Sequence, residues 1–389
     1  MHKIILFFSL LSSTLVACES NYEGHIYDES DYDIQLYKID WDAAADSAVN
    51  KLIEVYWNSE EKYFDFWKVS RGWNYWMQPQ ALDVLVDAYL RTQDIKYLEY
   101  MNDWAEGVGA TNGTKENLGE LSFRNFYYDD MEWVGLATLR AYDVTNDKKF
   151  LDIAKNVWND IKGGWTDELG GGILWTKTTN ASSKTKNACS NGPAALLACK
   201  MYNVTHNEED KEWAIKIFAW LKKNLFYSYN GAVYDGKNVS TGNVSTVSLS
   251  YNQGTFLGAS LSLYQITGEQ QYLTDAMKAA DFMVKNPNPN TGLIRDEGED
   301  QNQMFKGIFI RNFVQLILSG ELTADKEKYY VDFLNKNAQT LWRYGINKEE
   351  VLFGGEWSTP PTTGLCLAGQ LSGCMLIEAK ALYENEINK

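Results

Sequence analysis

A helical-hairpin plan that recurs at a nearly constant interval constrains this chain more than any other feature of its sequence. In each copy, a helix rich in small residues is followed by a short polar turn and a second, amphipathic helix carrying Tyr, Phe or Trp. The clearest copy covers residues 133–142, turns at Asn146-Asp147 and continues over 150–158. Others run over 81–90 then 97–104, 192–202 then 213–225, 254–264 then 272–284, and 307–318 then 329–341. A last helix over 364–383 is expected to pair with an N-terminal one near 43–57, which makes six pairs. With Ala81, Gly135, Gly192, Gly254, Gly307 and Gly364 as register marks, the steps are 54, 57, 62, 53 and 57 residues.

This interval exceeds the roughly 34 residues of a tetratricopeptide pair, because loops such as 163–187 and 227–250 separate the copies. Six such hairpins predict an all-α fold, a toroid of six inner and six outer helices known as an (α/α)6 barrel, over residues 41–389 as one domain. Periodicity alone leaves an open superhelix as the alternative. The segments N-F-Y-Y-D-D-M-E-W, N-A-C-S-N-G-P, L-S-Y-N-Q-G and M-F-K-G-I-F-I-R fall just before or inside the first turns of inner helices. In a closed ring they converge on one mouth, and the long loops lie on that face.

Acidic residues outnumber Lys and Arg by 52 to 36, a net charge of −16 that repels a phosphate backbone and argues against nucleic acid. The 14 Trp, 24 Tyr and 16 Phe exceed the usual needs of a helical core and suit the apolar faces of sugar rings. The chain begins with a basic start (His2, Lys3), an apolar run and Leu15-Val16-Ala17-Cys18. This reads as a bacterial lipoprotein signal over residues 1–18, with Cys18 as the lipidated residue, followed by a polar tether over 19–40. An ordinary secretory signal with an incidental Cys is the alternative. The lipid would place the protein in the bacterial cell envelope, with membrane contact through that anchor only. The spacing of Cys189, Cys199, Cys366 and Cys374 fits neither a zinc pattern nor a disulfide framework, so buried thiols are expected. His25 and His206 sit in polar contexts that support neither a triad nor a histidine metal site.

Asp129 and Asp130 carry two readings. As structure, Asp129 is a good N-cap, Asp130 favours the helix dipole, and Glu132 completes a capping-box spacing. As chemistry, a retaining glycosidase needs two carboxyl groups roughly 5 to 5.5 Å apart, which adjacent side chains can span. A helix N-terminus would keep one ionised as nucleophile, and that charge would raise the other's pKa and make it the acid.

At these residues a resemblance emerges. Y-Y-D-D followed by E-W, G-G-G-I-L-W (170–175), K-N-A-C-S-N-G-P (186–193), Y-N-Q-G (251–254) and F-K-G-I-F-I-R (305–311) together resemble glycoside hydrolase family 76, from about Trp41 onward. The resemblance implies an (α/α)6 fold and a retaining endo-α-1,6-mannanase that uses no metal or other cofactor. It assigns Asp129 as nucleophile and Asp130 as acid/base. Asn191, Asn252, Gln253 and Arg311 become candidates for sugar-hydroxyl contacts, and Trp76, Trp133, Trp175, Phe309 and Trp357 for stacking. Each has a plain counterpart: the amides as caps, Arg311 as an ion-pair partner and the aromatics as core. Asp235, Asp296, Glu297 and Glu356 are expected to be mostly solvated loop groups. The expected partner is α-mannan polysaccharide or oligosaccharide, met by a monomer.

Three rivals remain at this point. Fungal wall proteins of the same family transfer glycans, but they carry a C-terminal GPI signal, which A-L-Y-E-N-E-I-N-K does not resemble. A glycan-binding lipoprotein would use the same aromatics without needing paired acids. An inverting (α/α)6 hydrolase would hold its carboxyls roughly 6.5 to 9.5 Å apart.

Overall fold

The computed structural model describes residues 38–389 apart from Glu120; the signal, Cys18, His25 and nearly all of the tether lie outside the described residues. Twelve helices follow in chain order: α1 (Trp41–Tyr56), α2 (Met77–Thr92), α3 (Lys96–Lys115), α4 (Tyr128–Thr145), α5 (Lys148–Lys162), α6 (Gly192–Thr205), α7 (Glu208–Leu225), α8 (Ser250–Thr267), α9 (Gln270–Lys285), α10 (Phe305–Ile317), α11 (Ala324–Thr340) and α12 (Leu367–Ile387).

The two helices of each hairpin bury different surfaces. In α5 the buried residues Phe150, Ala154, Val157, Trp158 and Ile161 form one stripe at helical spacing, as expected of a helix with a solvent face. By contrast, α8 is buried without a break from Asn252 to Leu263, so it is packed on all sides. The even-numbered helices α2, α4, α6, α8, α10 and α12 form the inner wall, each packed on the next, and α12 returns to pack on α2. That last contact closes the ring and excludes the open superhelix.

The closure is specific. Arg91 of α2 forms two 3.0 Å bonds to the carboxylate of Glu378 on α12, and Arg91 also reaches Asp46 of α1 at 2.8 Å. Both ends of the Arg91–Glu378 pair are buried, so losing one partner would cost about 3–5 kcal/mol. The inner-wall glycines explain the repeat in the sequence. A Cβ on Gly254 would lie 2.6 Å from the Phe309 Cα, and one on Gly307 would lie 2.8 Å from the Ser372 Cα, so neighbouring helices touch backbone to backbone there. Gly364 is different: it precedes α12 in a left-handed conformation, φ +66°, and a Cβ there would meet open space.

Connections sort by end of the barrel. Inner helices α2, α4, α6 and α8 end at left-handed residues, Gln93, Asn146, His206 and Gly268, and pass through tight turns to their outer partners. The long returns all lie at the other end, where the inner helices begin. Two of them are stitched into one sheet, Thr185–Asn187 pairing with Gly236–Asn238, which pairs with Val244–Ser245. None of the six inner helices has a side-chain N-cap bond, whereas outer helices α1, α5, α7 and α11 are capped by Asp40, Asp147, Asn207 and Thr323. Six helix N-termini whose own N-cap residues supply no side-chain bond thus surround the mouth, an environment that favours negative charge. Deeper in the ring, Asp83 and Asp87 of α2 pair with Arg140 of α4 and Arg311 of α10, forming a plug.

Candidate active site

Helix α4 presents its first turn to the mouth. Its N-cap is Tyr127, which makes no side-chain cap bond, so Asp129 and Asp130 occupy helical positions inside the first turn. The capping-box expectation is therefore corrected: Asp129 is not the cap, and Glu132 is enclosed against α6, facing the Ala194 N–H. Tyr128 N donates to Trp175 O at 3.0 Å, which ties the start of α4 to the glycine-rich return before α6.

The two aspartates, both half-buried, meet different surroundings. Trp175 Nε1 donates to Asp129 Oδ2 at 3.1 Å, and the Cys189 thiol and the N–H groups of the turn also face this carboxylate. Burial raises its pKa to about 6, with those donors holding it down. No such donor faces Asp130 among the described residues; burial, the neighbouring Asp129 charge and Glu116 push its pKa well above the carboxylate range. Glu132 is raised well above its ordinary value too, by burial and then by Asp129 and Asp130. No salt bridge reaches any of the three among the described residues.

Across the mouth lie aromatic rings and a second acidic group. Tyr251, second residue of α8, stacks on Phe305, first residue of α10, with centroids 4.1 Å apart and planes 13° apart. Trp76 lies against the other side of this row, 6.2 Å from Phe305, and donates from Nε1 to Gln301 at 2.9 Å. Asp235 and Glu297 are half-buried instead of solvated. Asn252 donates to Asp235 at 3.2 Å, and Glu297 accepts from Ser250 N at 2.7 Å and from the Ser250 hydroxyl, which anchors the start of α8. Burial raises the pKa of both acids. Asp296 is exposed and Glu356 half-buried.

Among the residues singled out from the sequence, Asp129, Asp130, Trp76 and Trp175 are brought together at the mouth. The others require correction. Asn191 is fully enclosed and bonds both Ile173 N (2.8 Å) and Ile173 O (3.0 Å), so it anchors the return loop. Gln253, with its amide oriented to suit its neighbours, serves Gly231 O, Val233 N and Ser248 Oγ. Asn252 is enclosed and acts on Asp235. Phe309 stacks on Phe313 in the core at 5.1 Å, and Trp133 is nearly enclosed. Trp357 is fully buried beneath the Lys306 ammonium at 4.3 Å. Arg311 belongs to the plug, 2.8 Å from Asp87. Cys189, Tyr251 and Phe305 also stand at this end of the barrel, though nothing in the sequence marks them individually as site residues. Their signal was positional: like Asp129, they stand at or just before the first turn of an inner helix.

Cys189, Cys199, Cys366 and Cys374 are buried free thiols.

The sequence profile of glycosyl hydrolase family 76 matches residues 40–388. Among solved structures, an inactive variant of an α-1,6-mannanase from a Salegentibacter species, with two consecutive aspartates changed to asparagine and α-1,6-mannotriose bound, has a TM-score of 0.83 and 38% identity, covering 88% of this chain and 99% of that one. The Lin0763 protein of Listeria innocua has a TM-score of 0.79 and 31% identity, covering 90% and 99%. A mannan endo-1,6-α-mannosidase of Saccharomyces cerevisiae is 30% identical over 161 residues, 38% of this chain and 35% of its own length. The chain spans about a third to a half of the length of the first curated relatives it matches. A profile that extends over nearly the whole helical ring, whose fold solved mannanases share, settles the classification: the chain belongs to glycosyl hydrolase family 76.

Proposed function

We propose that this protein is a retaining endo-α-1,6-mannanase, with Asp129 as nucleophile and Asp130 as acid/base. The observation that carries the reading is the pair of adjacent carboxyls at the mouth, one surrounded by donors and the other by negative charge. Near neutral pH this arrangement favours an ionised Asp129 beside a protonated Asp130. An Asp129 oxygen attacks the anomeric carbon as the glycosidic bond breaks, and Asp130 gives its proton to the departing oxygen. Asp130, now a carboxylate, takes a proton from water, which attacks the mannosyl-enzyme and releases Asp129. Two inversions return the α configuration. The inactive neighbour lacking two consecutive aspartates, with α-1,6-mannotriose bound, supports both the residues and the substrate class.

Linear α-1,6-mannan is the substrate to test. Early products should span several lengths, as internal cutting requires, and NMR before mutarotation should find the α anomer. An uncleaved polymer would end the reading, and a β product would remove the nucleophile from Asp129. The inverting alternative would then stand.

The same reading places the protein on the bacterial envelope through lipid on Cys18. Cys18→Ser should appear in the soluble fraction; a variant still membrane-bound after signal removal would exclude the anchor.

A further inference from the structure

We propose that Phe126, Tyr127 and Trp175 form an aromatic platform for mannose residues beyond the reacting sugar, so that these rings set a preference for longer chains. This rests on the reading of Asp129 and Asp130 as the cleaving pair.

The three rings form one row at the rim of the mouth. Phe126 meets Tyr127 edge-on, with centroids 5.4 Å apart and planes at 84°, and Tyr127 meets Trp175 with centroids 5.3 Å apart and planes at 60°. The row begins at the reacting group, because Trp175 Nε1 donates to Asp129 Oδ2 at 3.1 Å. All three side chains face solvent, at 43%, 38% and 37% exposure, and Phe126 and Trp175 are the one Phe and the one Trp exposed among the described residues. A single exposed apolar side chain is ordinary, but a contiguous row at the edge of a cleft marks a binding surface.

The rings are exposed although their backbone is fixed. Lys177 N donates to Phe126 O and Tyr128 N to Trp175 O, both at 3.0 Å, on either side of an antiparallel bridge between Tyr127 and Thr176. Trp175 N donates to Thr185 O at 2.9 Å, and Asn125 Oδ1 accepts from Tyr127 N at 2.9 Å. The row is therefore ordered before a ligand arrives, which lowers the entropy lost on binding.

Continuity and chemistry identify the occupant. A polymer cleaved at Asp129 must continue past the mouth, and Trp175 joins the carboxylate to the row. Aromatic faces suit the apolar faces of pyranose rings, and Tyr127 adds a hydroxyl that can donate or accept. Lys177, which follows on the same ladder, is paired with Asp160 at 2.9 Å, so the row does not select an anion. A neutral α-1,6-mannan chain fits these conditions.

Binding can be read without turnover in the Asp129→Asn, Asp130→Asn double variant, by calorimetry with α-1,6-mannobiose and α-1,6-mannotetraose. Phe126 and Tyr127 are the residues to vary, since Trp175 also touches Asp129. Adding Phe126→Ala should weaken tetraose binding about 3–10-fold, the range expected for losing one aromatic contact, and should weaken biose binding by less. Tyr127→Ala should do the same, and Phe126→Tyr, which keeps the ring, should retain tetraose affinity. In the active enzyme, Phe126→Ala should raise KM on mannan more than it lowers kcat. Unchanged tetraose affinity in folded Phe126→Ala would overturn the platform. Equal losses for the two sugars would overturn it too, because the ring would then act through the mouth alone. A protein that binds tetraose through these rings but leaves mannan uncut would sink the mannanase reading and leave the platform standing.

Discussion

Two clusters of carboxylates occupy the inside of one helical ring, and they meet opposite fates. At the plug, Asp83 and Asp87 lie against Arg140 and Arg311, and the two arginines hold Asp87 below the usual carboxylate range despite its burial. At the mouth, no cation among the described residues pairs with Asp129, Asp130 or Glu132, and burial raises all three. Arg140 is ten residues beyond Asp130 on α4, about 15 Å further along the helix. Charge partners therefore decide the chemistry, since the scaffold is shared. The plug spends its acids on holding helices together, and the mouth keeps its acids available for proton transfer and attack.

The largest expected effect separates the two regions directly. Asp129→Asn and Asp130→Asn should each lose at least about 10³-fold in mannan cleavage. Neither should weaken folding in urea, because each removes a carboxyl that no cation balances. With an aryl mannoside whose leaving group needs little protonation, if one is accepted, Asp130→Asn should keep its glycosylation step while Asp129→Asn should not. Near-normal mannan cleavage by either folded variant would return the pair to a structural role. The plug should show the reverse pattern. Asp87→Ala removes the nearer partner of Arg311, leaving it Asp83 at 3.8 Å, and one of the two partners of Arg140, and should cost about 3 kcal/mol of stability while the remaining folded protein cleaves mannan at a similar rate. Unchanged unfolding in urea would dissolve the contrast.

Acidification should separate the regions more finely. Asp129 must be ionised to attack, so kcat/KM should fall as pH drops through about 6. Its own folded pKa is raised, so its contribution to stability is present below the ordinary 3.8 and is lost as pH rises through about 6. Asp87 has the opposite sign: its folded pKa lies below 3.8, so its stabilisation is present above that value and disappears only as pH falls beneath it. Between about 6 and 4, activity should vanish while circular dichroism stays native. Loss of both signals together would mean that the mouth and the plug titrate as one unit.

The ring was legible in the sequence because helix-to-helix contact demands small residues at a regular interval, and Gly254 and Gly307 report backbone contact directly. Closure was not legible: it depends on Arg91 meeting Glu378, 287 positions away, a pairing that no local pattern encodes. The acids at the mouth were found because two adjacent aspartates at a helix start stand out. The aromatics were read less well. An inner helix packed on all sides gives a Phe or Trp no distinctive periodicity, so Phe309 in the core and Phe305 at the mouth look alike in sequence. Arg311 was misplaced for a related reason, since one and a half turns of helix separate the mouth from the plug along α10.

Glu132 sharpens the comparison with the smallest expected effect. It is fully enclosed, its carboxyl oxygens lack aligned partners, and Asp129 and Asp130 lie within one turn of it. An ionised carboxylate there would add a third negative charge to a site with no cation among the described residues, and the Ala194 N–H at the start of α6 opposes this. The balance favours a neutral acid at working pH. Glutamine has nearly the same shape and no charge, so Glu132→Gln should change stability by less than about 1 kcal/mol. Glu132→Ala, which leaves a polar-lined void, should cost more. If Glu132 instead serves α6 as an ionised cap, the amide would lose a charge-assisted bond and Glu132→Gln would unfold about as readily as Glu132→Ala. Urea unfolding of the two variants decides between a protonated acid of the mouth and an anion that belongs, like those of the plug, to the structure.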